Sequence, residues 1–289
     1  MPDYAGAMRC ALTALLVSLV LPSCLVAQKT EADLRARLIN KPLYLRAEWG
    51  GDKLSFDAAG HPEKTFAPVS FTLAGVEIQS VKLTRKELVL EGQRVGFEFD
   101  KDVPQLVGLV VRDRLGQVSP KEIAIRITAA SDGDFGAALD AIFTDNVADL
   151  VPQLPWYWQT FAQKHLIPRG TPAAPVADPG PAAGGTPRPP AMQKLPRIGG
   201  GVSAPRLLTK VDPEFSEAAR AMKYSGIVLV NLIVDAKGMP NRVQILRPTG
   251  LGLDEQAVAA VSRYTFQPAM QNGTPVAVEL NVEVNFQIF

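Results

Sequence analysis

Few residues of this sequence have a type and spacing that could carry catalysis or bind a metal ion. The 289 residues include only two histidines, His61 and His165, each expected at a solvated surface position. Residues 131–134 hold two acidic side chains beside a glycine but lack the spaced oxygen ligands of a calcium loop. No nucleophile elbow, phosphate loop, HExxH motif or paired-cysteine motif occurs. We therefore expect no enzyme, no cofactor and no metal site.

The clearest pattern is one of backbone structure, at the C-terminus. From Val276 to Ile288 every second residue is apolar, and the residues between them from Glu279 to Gln287 are all polar. A period of two predicts a long strand with one buried face and one face in water. The strand must have partners, since its apolar side chains need cover.

Residues 202–289 contain the elements that would position this strand. Ser216 and Asp254 are the expected N-caps of two helices, and the nearly continuous apolar run Ile227–Val234 predicts a central strand covered on both faces. The predicted elements are a helix over 216–222, strands over 227–234 and 242–247, a helix over 254–264 and the terminal strand. Turns at Asp235–Gly238 and Asn272–Gly273 separate them. The expected fold is α-β-β-α-β with a three-stranded antiparallel sheet.

This ordered set of residues resembles the C-terminal domain of the TonB energy-transducer family. The matching positions are Pro213, Ala218, Gly226, Val228, Val230, Asp235–Gly238, Leu253, Asp254, Ala257, Ala260, Tyr264, Phe266, Pro268, Gly273, Pro275 and Val276. Two positions depart from the family pattern, because Phe215-Ser216 stands where an aromatic-Pro pair is usual and Tyr264 where a Trp is common. The resemblance covers about residues 202–289 only.

The resemblance implies a periplasmic domain that captures an extended peptide of an outer-membrane TonB-dependent receptor by β-strand addition. An exposed strand edge has unpaired N–H and C=O groups that can bind such a peptide. The candidate partner-binding residues are Val278, Glu279, Leu280, Asn281, Val282, Glu283, Val284, Asn285 and Phe286. Alternatively, this strand only completes a core sheet or pairs with a second copy in a homodimer.

The N-terminal segment, residues 1–27, is predicted to direct the chain across the inner membrane. Its dense apolar part, Ala11–Leu21, is about eleven residues long, which suits a signal peptide better than a membrane-spanning helix of about 20 residues. Cleavage after Ala27 is the first expectation. The alternatives are a retained inner-membrane anchor and a lipoprotein with Cys24 in a lipobox. Its uncharged stretch Cys10–Ala27 contains no His, Asp or Glu, so coupling to an inner-membrane proton-driven partner complex has no ionisable residue there to support it.

Two further regions lie between the ends. Residues 28–167 have ordinary globular composition, and eight strand-like runs separated by Gly-containing turns predict a mostly antiparallel sandwich or barrel with two short helices. Among them, residues 69–73 are a predicted strand and Gly92 is a predicted turn. Residues 168–201 are rich in Pro, Ala and Gly and predict a linker to a mobile C-terminal domain.

Charge adds one exclusion to these expectations. Thirty basic and twenty-nine acidic residues give a formal net charge of +1, so no strong field favours nucleic acid. The sequence thus predicts a TonB-like protein of envelope transport. The alternatives are a secreted or lipid-tethered periplasmic scaffold without energy transduction and, from a different class, a hydrolase within residues 28–167.

Overall fold

The computed structural model describes residues 30–131, 133–168 and 195–288. The predicted signal peptide or anchor and most of the predicted linker lie outside these residues. Within the described ranges, no helix is both long enough and apolar enough to cross a membrane.

Residues 30–168 form one open sheet with helices packed on it. The elements in chain order are α1 (Glu31–Leu38), β1 (Pro42–Leu45), β2 (Lys53–Phe56), β3 (Gly75–Leu83), β4 (Glu87–Asp100), β5 (Val103–Gly108), β6 (Val110–Arg112), β7 (Val118–Pro120), β8 (Glu122–Thr128), α2 (Gly136–Ile142), β9 (Phe143–Thr144) and α3 (Trp156–His165). Seven strands pair in the order β2-β8-β4-β3-β1-β9, with β5 on the second half of β4, while β6 and β7 form a separate hairpin. Only the β2–β8 pair of that seven-stranded sheet is parallel.

The predicted sandwich or barrel is wrong, although the expected antiparallel strands are present. The apolar face of the sheet is covered by α1 and α2, which bury Leu34, Leu38 and Leu139 against β3, β4 and β8. Helix α1 carries a capping box between Thr30 and Asp33, a local signal that the strand-based interpretation passed over. A layer of helices therefore covers the apolar face of the sheet, which a second sheet was expected to cover.

Two local predictions fail for reasons of close packing. Gly92 lies inside β4 rather than in a turn. Glycine is required there because a Cβ would approach the carbonyl oxygen of Glu77 to 2.1 Å. Residues 71–73 form a 3₁₀ helix rather than a strand, with Ser70 as its N-cap. The turn buries Thr72, whose hydroxyl accepts a hydrogen bond from the distant Gly252 N–H at 2.8 Å. Tertiary contacts set both conformations.

The C-terminal residues form the expected α-β-β-α-β arrangement with short additional strands. The elements are β10 (Arg206–Thr209), α4 (Glu217–Met222), β11 (Gly226–Val234), β12 (Pro240–Arg247), α5 (Leu253–Val261), β13 (Thr265–Gln267), β14 (Ala269–Gln271), β15 (Thr274–Val276) and β16 (Val278–Phe286). Ser216 caps α4 as predicted, accepting from the Ala219 N–H at 3.0 Å. β11 is the central strand, but only one of its faces is buried, and Ile227 on the other face is 46% exposed.

Asp254 does not cap α5, contrary to prediction. The N-cap is Gly252, whose φ of 75° is in the left-handed region. The buried Asp254 carboxylate instead accepts from the N–H groups of Thr249 and Gly250, both at 2.8 Å. Asp254 therefore holds the turn that precedes the helix.

That turn is also where the two parts of the chain join. Leu251 N–H donates to Phe97 O at 2.9 Å, and Phe99 N–H donates to Thr249 O at 3.2 Å, so the end of β4 pairs with residues 249–251. Gly250 lies at φ +97°, and a Cβ there would stand 2.1 Å from the oxygen of Phe97. The pairing requires glycine at this position.

Side chains extend this contact into a shared core. Trp158 of α3 is fully buried with Phe71, Phe99, Phe161 and the β12 residue Ile245. In the other direction, Leu109, which follows β5, is buried in the same apolar cluster as Leu251 and residues of α5. The expectation of a mobile C-terminal domain beyond a linker is therefore wrong, because both parts bury apolar surface against each other.

One buried and two half-buried carboxyl residues lie at this junction. Glu255 Oε1 accepts from Trp158 Nε1–H at 2.8 Å. Burial raises the pKa of Glu255, and burial followed by the Glu255 charge raises the pKa of Asp254 to about 8. Burial and the Glu255 charge also raise the pKa of Glu48. The junction thus favours protonated carboxyls.

We predict that Trp158→Phe destabilises the protein by about 1 to 3 kcal/mol, because it leaves a buried carboxyl oxygen without its donor. Urea unfolding of the variant and of a matched Trp156→Phe control measures the effect. Trp156 is only partly buried, and its ring contact is with Tyr157. Equal losses in the two variants would contradict a role for the Trp158–Glu255 hydrogen bond.

We also predict that the free energy of unfolding falls as pH rises from about 5 to about 8. In this window the unfolded chain binds fewer protons at Asp254, Glu255 and Glu48 than the folded chain, since their folded-state pKa values are raised. Urea titrations at the two pH values test this. Glu255→Gln keeps an acceptor for Trp158 and should flatten the dependence, whereas a rise in stability from pH 5 to pH 8 would refute the prediction.

Candidate functional site

The candidate site is the outer edge of β16 in the three-stranded sheet β12-β11-β16. β16 pairs with β11 along its whole length, from Gly226↔Phe286 to Val234↔Val278, without a register shift. On its other side, no strand of the described part of the chain pairs with it. Nine consecutive residues therefore present an unbroken backbone edge.

The opposite edge of the sheet differs in both respects. The β11–β12 pairing has two register shifts, which make the β12 backbone irregular. Helix α3 packs against β12, where Thr160 Oγ1 donates to Gln244 Oε1 at 3.2 Å and Ile245 joins the cluster of Trp158 and Phe161. Helix and bulges protect β12, so β16 is the regular edge of this sheet.

All nine residues predicted as partner-binding lie on β16. They alternate as expected, with Glu279, Asn281, Glu283 and Asn285 exposed on one face. The predicted strand starts too early, because Thr274–Val276 pairs with Ala269–Gln271 as the separate strand β15. Ala277 lies between β15 and the start of β16. The turn at Asn272–Gly273 thus closes a small hairpin of its own.

The exposed face of β16 carries a hydrogen-bonded polar network. Asn231 of β11 donates through Nδ2 to Glu279 Oε1 and to Asn281 Oδ1, both at 2.8 Å. Arg247 of β12 lies 3.6 Å from Glu283. Asn231 and Arg247 were not among the predicted site residues, because their contacts with β16 depend on the sheet register. A polar residue inside the apolar run of β11 was the available signal.

The core-facing side of β16 is unevenly covered. Val278, Val284 and Phe286 are buried, at 0%, 3% and 1% exposure, whereas Leu280 and Val282 are only partly buried. This strand therefore combines a free backbone edge with two partly covered apolar side chains in its middle.

This geometry suits the binding of an extended strand. Among the described residues, no group of three His, Cys, Asp or Glu side chains is arranged to hold a metal ion. What the edge of β16 offers is a row of backbone donors and acceptors flanked by alternating side chains.

A comparison with known protein families identifies the C-terminal part of the chain. Residues 211–288 match the family model described as Gram-negative bacterial TonB protein C-terminal. Protein TonB of Vibrio cholerae serotype O1 (strain ATCC 39315 / El Tor Inaba N16961) is 29% identical over 89 residues, which are 30% of this chain and 36% of that protein. This chain thus matches little more than a third of that relative's length.

A solved structure is also similar over this region. The solution NMR structure of the Pseudomonas aeruginosa TonB CTD shares 19% sequence identity and covers 33% of this chain and 96% of that chain, with a TM-score of 0.26. The family match and the α-β-β-α-β order of the elements concern the same C-terminal residues. Residues 211–288 of this protein are a TonB C-terminal domain.

Proposed function

We propose that this protein is a periplasmic component of TonB-dependent envelope transport that captures an extended peptide of an outer-membrane receptor on β16. The observation that carries the proposal is the free, unbroken nine-residue edge of β16 within a TonB C-terminal domain. At about 3.4 Å per residue this edge is about 30 Å long. An added strand would therefore have room for several main-chain hydrogen bonds.

The protection of β12 supports one peptide per chain. A peptide added at β12 would have to displace α3 together with the buried Trp158 and Phe161. Burial of large aromatic side chains is worth several kcal/mol, so displacement is costly. β16 needs no such displacement.

A second candidate function is that of a periplasmic scaffold, secreted or lipid-tethered, that binds a peptide but transmits no energy. The packing of the two parts of the chain favours it. Helix α3 ends at His165 and packs on β12, while Val202, after the proline-rich stretch, pairs with Gln271. Both ends of that stretch are thus attached to the same packed body, so its length does not set a distance between domains.

Replacement by proline tests strand addition. Successive N–H groups of a strand point to opposite sides, so one of Asn281→Pro and Val282→Pro removes a donor at the free edge and the other removes a donor to β11. We expect the variant that loses the donor at the free edge to remain folded but to lose binding of a receptor-derived peptide, measured by calorimetry. The variant that loses the donor to β11 should mainly have a lower free energy of unfolding. Full affinity in both folded variants would exclude β16 as the docking edge.

A matched control uses the peptide instead of the protein. N-methylation at alternate peptide positions blocks hydrogen bonding without changing β16. Methyl groups on the side facing β16 should abolish binding, and those on the opposite side should leave it within about threefold, since only the former remove ladder hydrogen bonds. Loss of binding with both peptides would indicate a binding mode other than strand addition.

The intact mass of the protein from fractionated cells distinguishes the two candidate functions. We expect a periplasmic chain that begins near Gln28, because the apolar segment before it has the length of a signal peptide. This start, or a start at a lipidated Cys24, would support a secreted or lipid-tethered protein without direct energy transduction. A membrane fraction containing the uncleaved chain would contradict cleavage and favour a transducer held in the inner membrane.

A further inference from the structure

The apolar side of β16 is open only at its centre. Leu280 and Val282 pack against the core of the C-terminal domain but remain partly exposed, whereas Val278, Val284 and Phe286 are buried. Leu280 and Val282 therefore form a short apolar notch, two residues apart on one strand face.

The elements around β16 explain why the notch exists. At one end Val278 packs with Val202 and Ala269. At the other end the Phe286 ring meets Phe215 edge-on, with centroids 5.4 Å apart. Helix α5 covers the sheet through its packing on β11 and β12. The centre of β16 thus lies beyond the cover of the helix and between two covered ends.

The opposite face of the same stretch carries negative charge. Glu279 and Glu283 are exposed and flank Asn281 at i−2 and i+2. Glu279 accepts a hydrogen bond from the neutral amide of Asn231. Glu283 forms a solvent-exposed ion pair with Arg247 at 3.6 Å. These three ionic side chains sum to a charge of −1, and Arg247 comes from the β12 side of the sheet, away from the free edge.

We propose that β16 selects peptides with the pattern basic, apolar, polar, apolar, basic, an inference that rests on the strand addition proposed above. In an added strand, side chains directly opposite Leu280 and Val282 face the core side and cover the notch. Those opposite Glu279 and Glu283 lie on the exposed face, about 4.5 to 5.5 Å away between Cβ atoms. Lys or Arg at these positions pairs with the carboxylates, and a small polar residue faces Asn281.

The pattern reads the same in both chain directions. A peptide that adds parallel or antiparallel therefore places equivalent side chains opposite Glu279 and Glu283. The recognition depends on face and spacing and not on the direction of the incoming strand.

Charge also argues against a second copy as the occupant. If two β16 strands paired antiparallel about Asn281, Glu279 of each copy would stand opposite Glu283 of the other. Like charges directly opposite destabilise a sheet. Acidic residues on an edge are a known protection against self-association, and here they leave the edge for a basic peptide.

Three fluorescent peptides test the proposal with the full mature chain. The first has Lys at both outer positions, Val at both inward positions and Thr at the centre; the second replaces Lys with Glu; the third keeps Lys but replaces Val with Ser. By anisotropy at low salt we expect the first to bind about tenfold more tightly than either of the others. The Lys-to-Glu difference should shrink at 1 M salt, where the Debye length is about 3 Å.

Variants of the protein assign the charge effect. Glu279→Gln with Glu283→Gln keeps the hydrogen-bond acceptors and should make the Lys and Glu peptides bind equally. Glu122→Lys on β8, an exposed glutamate of the other sheet, is the matched control and should leave their order unchanged.

Each outcome decides the proposal. Tighter binding of the Lys peptide that the double Gln variant abolishes supports it. Equal binding of the Lys and Glu peptides to the unmodified protein overturns the selectivity but leaves strand addition intact, whereas no binding of any peptide overturns both. A dimer in sedimentation that the Lys peptide fails to dissociate would assign β16 to a second copy and also overturn the proposal.

Discussion

The main-chain pairing between the end of β4 and residues 249–251 is the contact on which the arrangement of this protein depends. α5 and β12 are fixed against the N-terminal sheet by two backbone hydrogen bonds, one in each direction. A third hydrogen bond runs from the Gly252 N–H to the Thr72 hydroxyl. With these in place, α3 lies on β12. The junction therefore determines which edge of the C-terminal sheet remains open.

The junction combines strong geometric demands with an electrostatic cost. Gly250 leaves no room for a side chain, and Trp158 must bring its indole N–H to Glu255. At the same time Asp254 and Glu255 are carboxyls with raised pKa values in a buried setting. Buried carboxyls contribute less to stability than an apolar pair of equal size. Because their pKa values are raised, the docking of the two parts is coupled to protonation.

The sequence predicted those features that depend on local periodicity and turn chemistry. The alternation of β16 and the cap at Ser216 follow from neighbouring residues alone. Asp254 shows the limit of this reasoning, because an acidic residue near a helix start fits both a cap and a buried brace of the preceding turn. Gly92 shows the same limit, since only the approach of Glu77 on β3 explains glycine within a strand. The alternation placed the nine candidate residues on one strand, but the position of that strand at an edge required the pairing of the whole sheet.

An exposed strand edge normally risks self-association, because it can pair with another copy of the same strand. The distribution of charge on β16 opposes this pairing and still allows a peptide to bind. Glu279 and Glu283 make pairing with a second β16 unfavourable in the register that would cover Leu280 and Val282 best. The same two residues attract a strand with basic side chains at those positions. One pair of side chains thus opposes self-association and favours a foreign strand. The apolar notch between them limits the favoured partners further, because a basic peptide without two inward apolar residues would leave Leu280 and Val282 in water.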